Sequence, residues 1–322
     1  MIIVGAGIAG LLAANLMGRH RPIIHEAQPA LPHNHHSVLR FRSSVVGDAL
    51  GIPFRKVRVV RATMPWRNPV ADSLAYAEKC SGTLRSDRSL PQATEAVDRY
   101  IAPPDLVARM AERVEVVLDS SWDFSDRSEK VVSTIPMPTL ANVVGHVWGP
   151  GIKFEWVSGF NVLADVAHCD AFVSLYVPDP RLEYARVSLT GRQLIVEAPN
   201  VLPPPRDDGE RWAIEAAHLL GIKRPRLGDV RLVRQDYAKI LPIDEGERRR
   251  FIYETSTVRQ IAFSLGRFAT WRPTLLADDL VKDVRIIENM ATSSSLGYDA
   301  EKMERDRGHG PARYHPGQGD AP

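Results

Sequence analysis

Apolar and polar positions repeat along this chain with two periods, and the changes of period mark its elements. Ile2–Val4 is an unbroken apolar run of strand length that leads into a glycine-rich turn. Residues 11–19 carry leucine and alanine at helical spacing, and residues 22–26 return to an extended apolar pattern. Strand, turn, helix and strand in this order predict a βαβ unit. Helical spacing recurs at 94–100, 104–113 and 210–220, and most clearly at 274–290, where LLADDLVKDVRIIENM forms an amphipathic final helix. Strands are predicted at 114–118 and at 131–135, the latter ending at Pro136. Two-residue alternation at 171–177, 185–189 and 193–198 predicts an antiparallel sheet. Residues 30–70 read as loop-rich, and the triple proline at 203–205 as a loop. No internal repeat is present in the sequence.

The pattern implies an α/β chain: a Rossmann-like domain with a parallel sheet, and a second domain built on an antiparallel sheet. At about 150 residues per domain, 322 residues suit two domains. A break at Gly149 to Gly151 suggests a discontinuous first domain of residues 1–60, 100–150 and 250–295. Residues 61–99 and 151–249 would form the second domain. Residues 296–322, rich in glycine, proline and charge, are expected to be a mobile tail.

Composition narrows the function classes. With 44% hydrophobic and 25% charged residues the chain is an ordinary globular protein. A formal net charge of +2 argues neither for nor against a nucleic-acid partner. Two cysteines without a CxxC disfavour a disulfide framework or a cysteine zinc site and fit a reducing cytoplasm. No apolar run approaches the ~20 residues of a spanning helix, and the apolar start has no basic region before it, so no membrane association or signal peptide is expected.

The turn after the first strand reads Gly5-Ala6-Gly7-Ile8-Ala9-Gly10, a G-x-G-x-x-G. In that pattern Gly5 permits a tight turn, Gly7 lets the backbone approach a pyrophosphate, and Gly10 lets the helix pack closely on the strand. The helix N-terminus supplies unpaired N–H groups to the phosphates. Glu26, at the end of the second strand, is placed to accept hydrogen bonds from a ribose. The motif stands between a strand and a helix, the context it requires, and is compatible with NAD or FAD. No second glycine fingerprint for a nicotinamide donor is present.

A second signal lies at the far end. IAFSLGRFATWRPTLLADDLVKDV joins an apolar strand, Gly266-Arg267, an aromatic loop and a helix with Asp278 and Asp279 near its start. Together with the glycine turn, and with VVSTIPMPTL at 131–140, this resembles the amine oxidase and UDP-galactopyranose mutase superfamily of FAD proteins. The overall look, with GRFATWRP, is similar to small members found in bacteriophages, some of which resemble enzymes that modify thymine bases with amines. The resemblance covers the nucleotide-binding parts and not the middle of the chain. It implies FAD as cofactor, with Gly5, Gly7, Ile8, Ala9, Gly10 and Glu26 on the ADP half. Gly266, Arg267 and the helix start near Asp279 would meet the flavin side. A structural core contact is the alternative for Arg267 and Trp271.

The chemistry expected is oxidation or cleavage of a C–N bond of a small polar amine by an oxidase or lyase, with a modified nucleobase in phage DNA as a specific version. Such a site needs no dedicated base. His35, His36, Arg40 and Arg42, in LPHNHHSVLRFRSS, are the catalytic candidates: histidines can shuttle protons and arginines can hold oxyanions. His33 adds a third histidine, but the group lacks a partner carboxylate and no metal is expected. FRKVRVVR at 54–61, residues 224–234 and 248–250 could meet DNA phosphates, and Trp66, Trp122, Trp148, Trp156, Phe160 and Trp212 could stack on a base. Two alternatives stay open: a mutase-like enzyme that holds a nucleotide-sugar diphosphate through Arg40 and Arg42 or Arg181 and Arg186, and a non-enzymatic escort.

Overall fold

Two sheets carry the architecture, and the period of two along each strand sets which residues share a face. The computed structural model describes residues 1–31, 38–83, 90–201 and 206–294. Residues Met1–Val284 form one compact unit, and Arg285–Pro322 a second, whose described part is the end of a helix. The first sheet is parallel and comprises β1 (Ile2–Val4), β2 (Ile23–His25), β6 (Glu115–Val117), β7 (Val131–Ser133) and β13 (Phe263–Ser264), in the order β13-β7-β1-β2-β6. The second has the order β12-β8-β11-β10-β9-β4-β5-β3. Its strands are β3 (Arg40–Phe41), β4 (Arg55–Thr63), β5 (Glu95–Ile101), β8 (Trp156–Val166), β9 (Ala171–Tyr176), β10 (Arg186–Gly191), β11 (Gln193–Pro199) and β12 (Leu227–Ile240). All its pairs are antiparallel except β4 with β9.

The helices are α1 (Ile8–Leu16), α2 (Val45–Leu50), α3 (Pro69–Ser81), α4 (Leu106–Ala111), α5 (Met137–Val143), α6 (Arg206–Leu219), α7 (Glu245–Tyr253) and α8 (Ala277–Ser294). Their ends obey capping chemistry. Asn68 accepts the Ala71 N–H at 2.9 Å, Pro69 opens α3, and Gly82 closes it in the left-handed region. Asp244 caps α7 through the Glu247 N–H at 2.9 Å.

Each sheet has its own core. Around the parallel sheet Val4, Val131, Met137, Leu140, Phe251 and Trp271 are buried together. On the second sheet the residues of one parity, among them Val162, Val187, Leu189, Leu194 and Val196, meet Trp212, Ala213 and Ala216 of α6. That coverage turns the other parity, including Arg186, Ser188, Ile195 and Glu197, to the opposite face.

The βαβ unit, the last helix and the alternating strands form within a few residues of their predicted bounds. Residues 94–100 do not form the expected helix: from Glu95 on they belong to β5, which pairs with β4 from Arg55↔Ile101 to Arg61↔Glu95. The cross-strand pairs Lys56–Asp98 at 2.8 Å and Arg61–Glu95 at 2.7 Å show why the tertiary partner overrides local helical spacing. The stretch expected to be loop-rich contains β3, α2 and the whole of β4. The expected tail, residues 296–322, lies outside the described residues. Among the described residues no helix is long and apolar enough to cross a membrane.

Candidate active site

The C-terminal ends of the parallel strands are where a ligand meets an open α/β sheet, and the glycine turn sits there. Gly5 has φ +98°, and a Cβ on it would stand 2.4 Å from Thr134 Oγ1. A Cβ on Gly10 would stand 1.9 Å from the Gly5 carbonyl oxygen, so α1 packs on the turn at a distance only glycine allows. Gly7 differs: among the described residues nothing beyond its chain neighbours lies within 4 Å of its built Cβ, and as N-cap of α1 it offers no side chain. The first turn of α1, with the Ile8 and Ala9 amides, has no earlier helical carbonyl to bond, which is the chemistry of an anion cradle.

Glu26 ties this turn together. Its Oε2 accepts the Ala6 N–H at 2.7 Å and its Oε1 the Gln28 N–H at 3.0 Å. The His25 carbonyl accepts the Gly5 N–H at 2.8 Å. The carboxylate thus stands beside the glycine turn and retains acceptor capacity beyond these bonds.

The far end of the chain comes back to the same place. Gly266 has φ +101°, and its built Cβ would lie 3.1 Å from the Ala9 side chain. Leu265 N–H donates to the Ser133 carbonyl at 2.9 Å, and the Oγ atoms of Ser133 and Ser264 are buried with no hydrogen-bond partner among the described residues. Arg267 Nε and an Nη both donate to the Leu275 carbonyl, at 3.0 and 2.8 Å, holding the aromatic loop closed. Trp271 takes the structural alternative: it is buried in the core with φ 46°, and its Nε1 donates to the Leu241 carbonyl at 2.8 Å. Asp279 accepts the Leu276 N–H at 2.9 Å and caps α8. Asp278, its neighbour, accepts the backbone N–H groups of Arg42 and Ser43 at 3.2 and 2.8 Å and the Ser43 hydroxyl at 2.9 Å.

Those bonds place the start of α8 over the open face of the second sheet, and a cleft of about 640 Å³ lies between them. Arg40, Arg42, Arg267 and Asp278 line it with Arg61 of the basic stretch 54–61, joined by residues that the sequence did not single out: Arg99, Tyr176, Glu197 and Lys239. They arrive from strands far apart in sequence, and no local motif links them. Arg186 also lines it, and its expected partner Arg181 does not: Arg181 is bonded to Asp179 and exposed. Arg186 pairs instead with its register partner Glu197. Burial opposes both charges, yet Glu197 holds the Arg186 pKa above the ordinary arginine value, and Arg186 with Lys239 holds that of Glu197 down. Arg40 donates to Ser174 Oγ at 3.1 Å and Ser188 Oγ at 3.3 Å. Burial, then Arg186, lowers its pKa to about 10. Arg99 is lowered as well, first by burial and then by Arg61 and Arg42.

His33, His35 and His36 lie outside the described residues. The basic stretches carry neighbouring carboxylates: Arg55 pairs with Asp170, Lys56 with Asp98, Arg231 with Asp229, Arg234 with Asp236, and Arg248 and Arg249 with Glu245. Of the aromatic candidates, Trp212 and Phe160 are buried, Trp122 and Trp148 pack on the parallel-sheet core, Arg67 covers Trp66, and exposed Trp156 contacts Tyr237.

No protein-family model matches the chain, and no curated protein matches it by sequence. Solved structures do. A reduced UDP-galactopyranose mutase superposes with a TM-score of 0.65 at 12% identity, over 89% of this chain and 92% of that one. A structure described as a protoporphyrinogen oxidase from Exiguobacterium sp. 255-15 gives 0.55 at 11%, over 91% and 98%. The p-nitrophenol 4-monooxygenase of Pseudomonas putida gives 0.52 at 14%, over 94% and 82%. The chain has the α/β fold of these proteins, with a Rossmann-type parallel sheet and a second sheet beside it.

Proposed function

We propose that this chain is an FAD-dependent oxidoreductase that acts on a small molecule in the cleft beside Arg267. The observation that carries this is the approach of Gly266 to Ala9: the two remote segments meet as parts of one cradle. The residues fit the cofactor. Gly7 leaves room for a pyrophosphate, the first turn of α1 would hold it, Glu26 would take the ribose, and Gly266 and Arg267 would meet the flavin side. When bound, FAD supplies a two-electron acceptor for a hydride from the substrate. The protein's part is to orient the substrate, exclude water and set the local charge.

Within that class we favour oxidation at the carbon of a C–N bond in a small polar amine. Several cationic side chains around the cleft disfavour an ammonium and so support the neutral amine that hydride loss requires. The version with an amine on a thymine-type base of phage DNA would call on the surface basic stretches, and the carboxylates beside them make the small-molecule form the better supported. A mutase-like reaction on a nucleotide sugar is a second reading, supported by Arg40 and Arg186 standing together in the cleft. The test is a spectrum of the pure protein followed by anaerobic titration. A yellow protein bleached by amines supports oxidation. Activity on a nucleotide sugar that appears only after dithionite supports the second reading, and a colourless protein that takes up no FAD removes both.

A further inference from the structure

Two of the cations around the cleft are joined to a carboxylate by an ion pair. Arg186 has Glu197, and Arg61 has Glu95 at 2.7 Å. Asp278 directs its oxygens to backbone N–H groups and the Ser43 hydroxyl rather than to a guanidinium. Arg40 is held differently. Two of its N–H donors go to Ser174 and Ser188, whose hydroxyls are 3.3 Å apart on register-paired positions of β9 and β10. Hydroxyls orient a guanidinium without neutralising it; among the described residues no carboxylate forms an ion pair with Arg40, and Glu197, whose charge favours it, is paired with Arg186 and offsets the effect of Arg186 only in part. The side chain is held on two adjacent strands at the wall of a cleft, and of its five N–H donors the serines take only part.

A half-buried cation beside a second cation is costly unless an anion joins it. We propose that Arg40, seated by Ser174 and Ser188, anchors an oxyanion of the substrate, a carboxylate or a phosphate. The inference rests on reading the cleft as the substrate chamber of a flavoenzyme. It makes the substrate an acid: an amine that also bears a carboxylate or phosphate, or a sugar phosphate, in place of a simple alkylamine. A planar oxyanion can take two parallel N–H bonds from one guanidinium, which a lysine at this position could not reproduce. Arg61 and Arg99, which line the same cleft, add to the attraction.

The test uses the full chain loaded with FAD. Acetate, inorganic phosphate and pyrophosphate are titrated against it, with acetamide as the uncharged control, and binding is read from the flavin absorption spectrum and by calorimetry. The wild type is expected to bind at least one oxyanion, and not acetamide; the identity of that ion separates carboxylate from phosphate. Arg40→Gln is expected to weaken it by about tenfold or more while keeping its flavin. Should that variant fail to fold, Ser174→Ala/Ser188→Ala keeps the charge and frees the guanidinium, and is expected to weaken the same ion about threefold or more. Oxyanion binding unchanged in the Arg40 variant, or in the folded double-serine variant, overturns the proposal. So does a wild type that binds no oxyanion. An Arg40 variant that folds but loses FAD also overturns it, since the charge would then serve the cofactor. A colourless wild type defeats the flavoenzyme reading instead, and the two failures are distinguishable.

Discussion

Gly7 and Gly10 stand three positions apart in one turn, yet alanine at each is expected to do different things. At Gly10 the added methyl would sit 1.9 Å from the Gly5 carbonyl oxygen, about 1.5 Å short of ordinary van der Waals contact. That oxygen belongs to backbone held by the Gly5–His25 hydrogen bond and by Thr134, so it cannot swing aside. The helix must back away from β1, and overpacking of this kind destabilises by ~1–3 kcal/mol or more. In a domain of this size that lowers Tm by roughly 2–12 °C. At Gly7 the methyl meets nothing within 4 Å, and φ −67° suits any L-residue. The weaker N-cap and the stiffer unfolded chain roughly offset one another, so stability should change by less than about 0.5 kcal/mol. The methyl does enter the space left for a pyrophosphate. An overpacking penalty of ~1–3 kcal/mol there weakens FAD by about 5- to 150-fold. Thermal melts of the FAD-free proteins and fluorescence titration with FAD separate the two effects. A Gly7→Ala protein that binds FAD like the wild type would refute the cradle, and a Gly10→Ala protein with unchanged Tm would refute the packing argument.

Other outcomes depend on single contacts. Gly266→Ala places a methyl 3.1 Å from Ala9 and asks alanine to adopt φ +101°, so it should lower stability by about 1–3 kcal/mol in urea unfolding and weaken FAD as well. Trp271→Phe removes the Nε1 bond to the Leu241 carbonyl and takes volume from a fully buried ring, and should destabilise by about 1–3 kcal/mol in the same assay. Lys79 donates to the carbonyls of Val177, Asp179 and Tyr184 at 2.8–2.9 Å, and burial lowers its pKa from 10.5 to about 8. The unfolded chain then holds this proton more tightly than the folded one, so this group's contribution to stability should rise between pH 8 and 10.5, by up to ~3 kcal/mol. Lys79→Met should abolish that rise, and urea midpoints measured across the window will show it.

How far each part of the molecule was legible depended on the range of the interactions that shape it. The turn from Gly5 to Gly10 was legible because its demands are local: a positive φ at Gly5 and a close approach at Gly10 can be met only by glycine. The helix 274–290 was legible because its apolar stripe persists for several turns. Residues 94–100 were not, since Ala96, Val97 and Tyr100 fit helical spacing as well as a strand edge, and only pairing with β4 decides between them. Trp271 was left between two roles that the Leu241 carbonyl separates.

By itself the sequence determined that a nucleotide-type turn opens the chain and that a glycine-arginine segment precedes its last helix, because both are statements about neighbouring residues. Only the tertiary structure decided that Gly266 meets Ala9. It alone decided that Arg40 joins Arg186 rather than acting with Arg42 alone, and that the cations of the cleft outnumber its carboxylates. On a strand, Arg99 or Glu197 reads as one polar position among many. Which face becomes a chamber is set when α6 covers the opposite parity of the second sheet, and when Asp278 ties the 42–43 backbone to the start of α8.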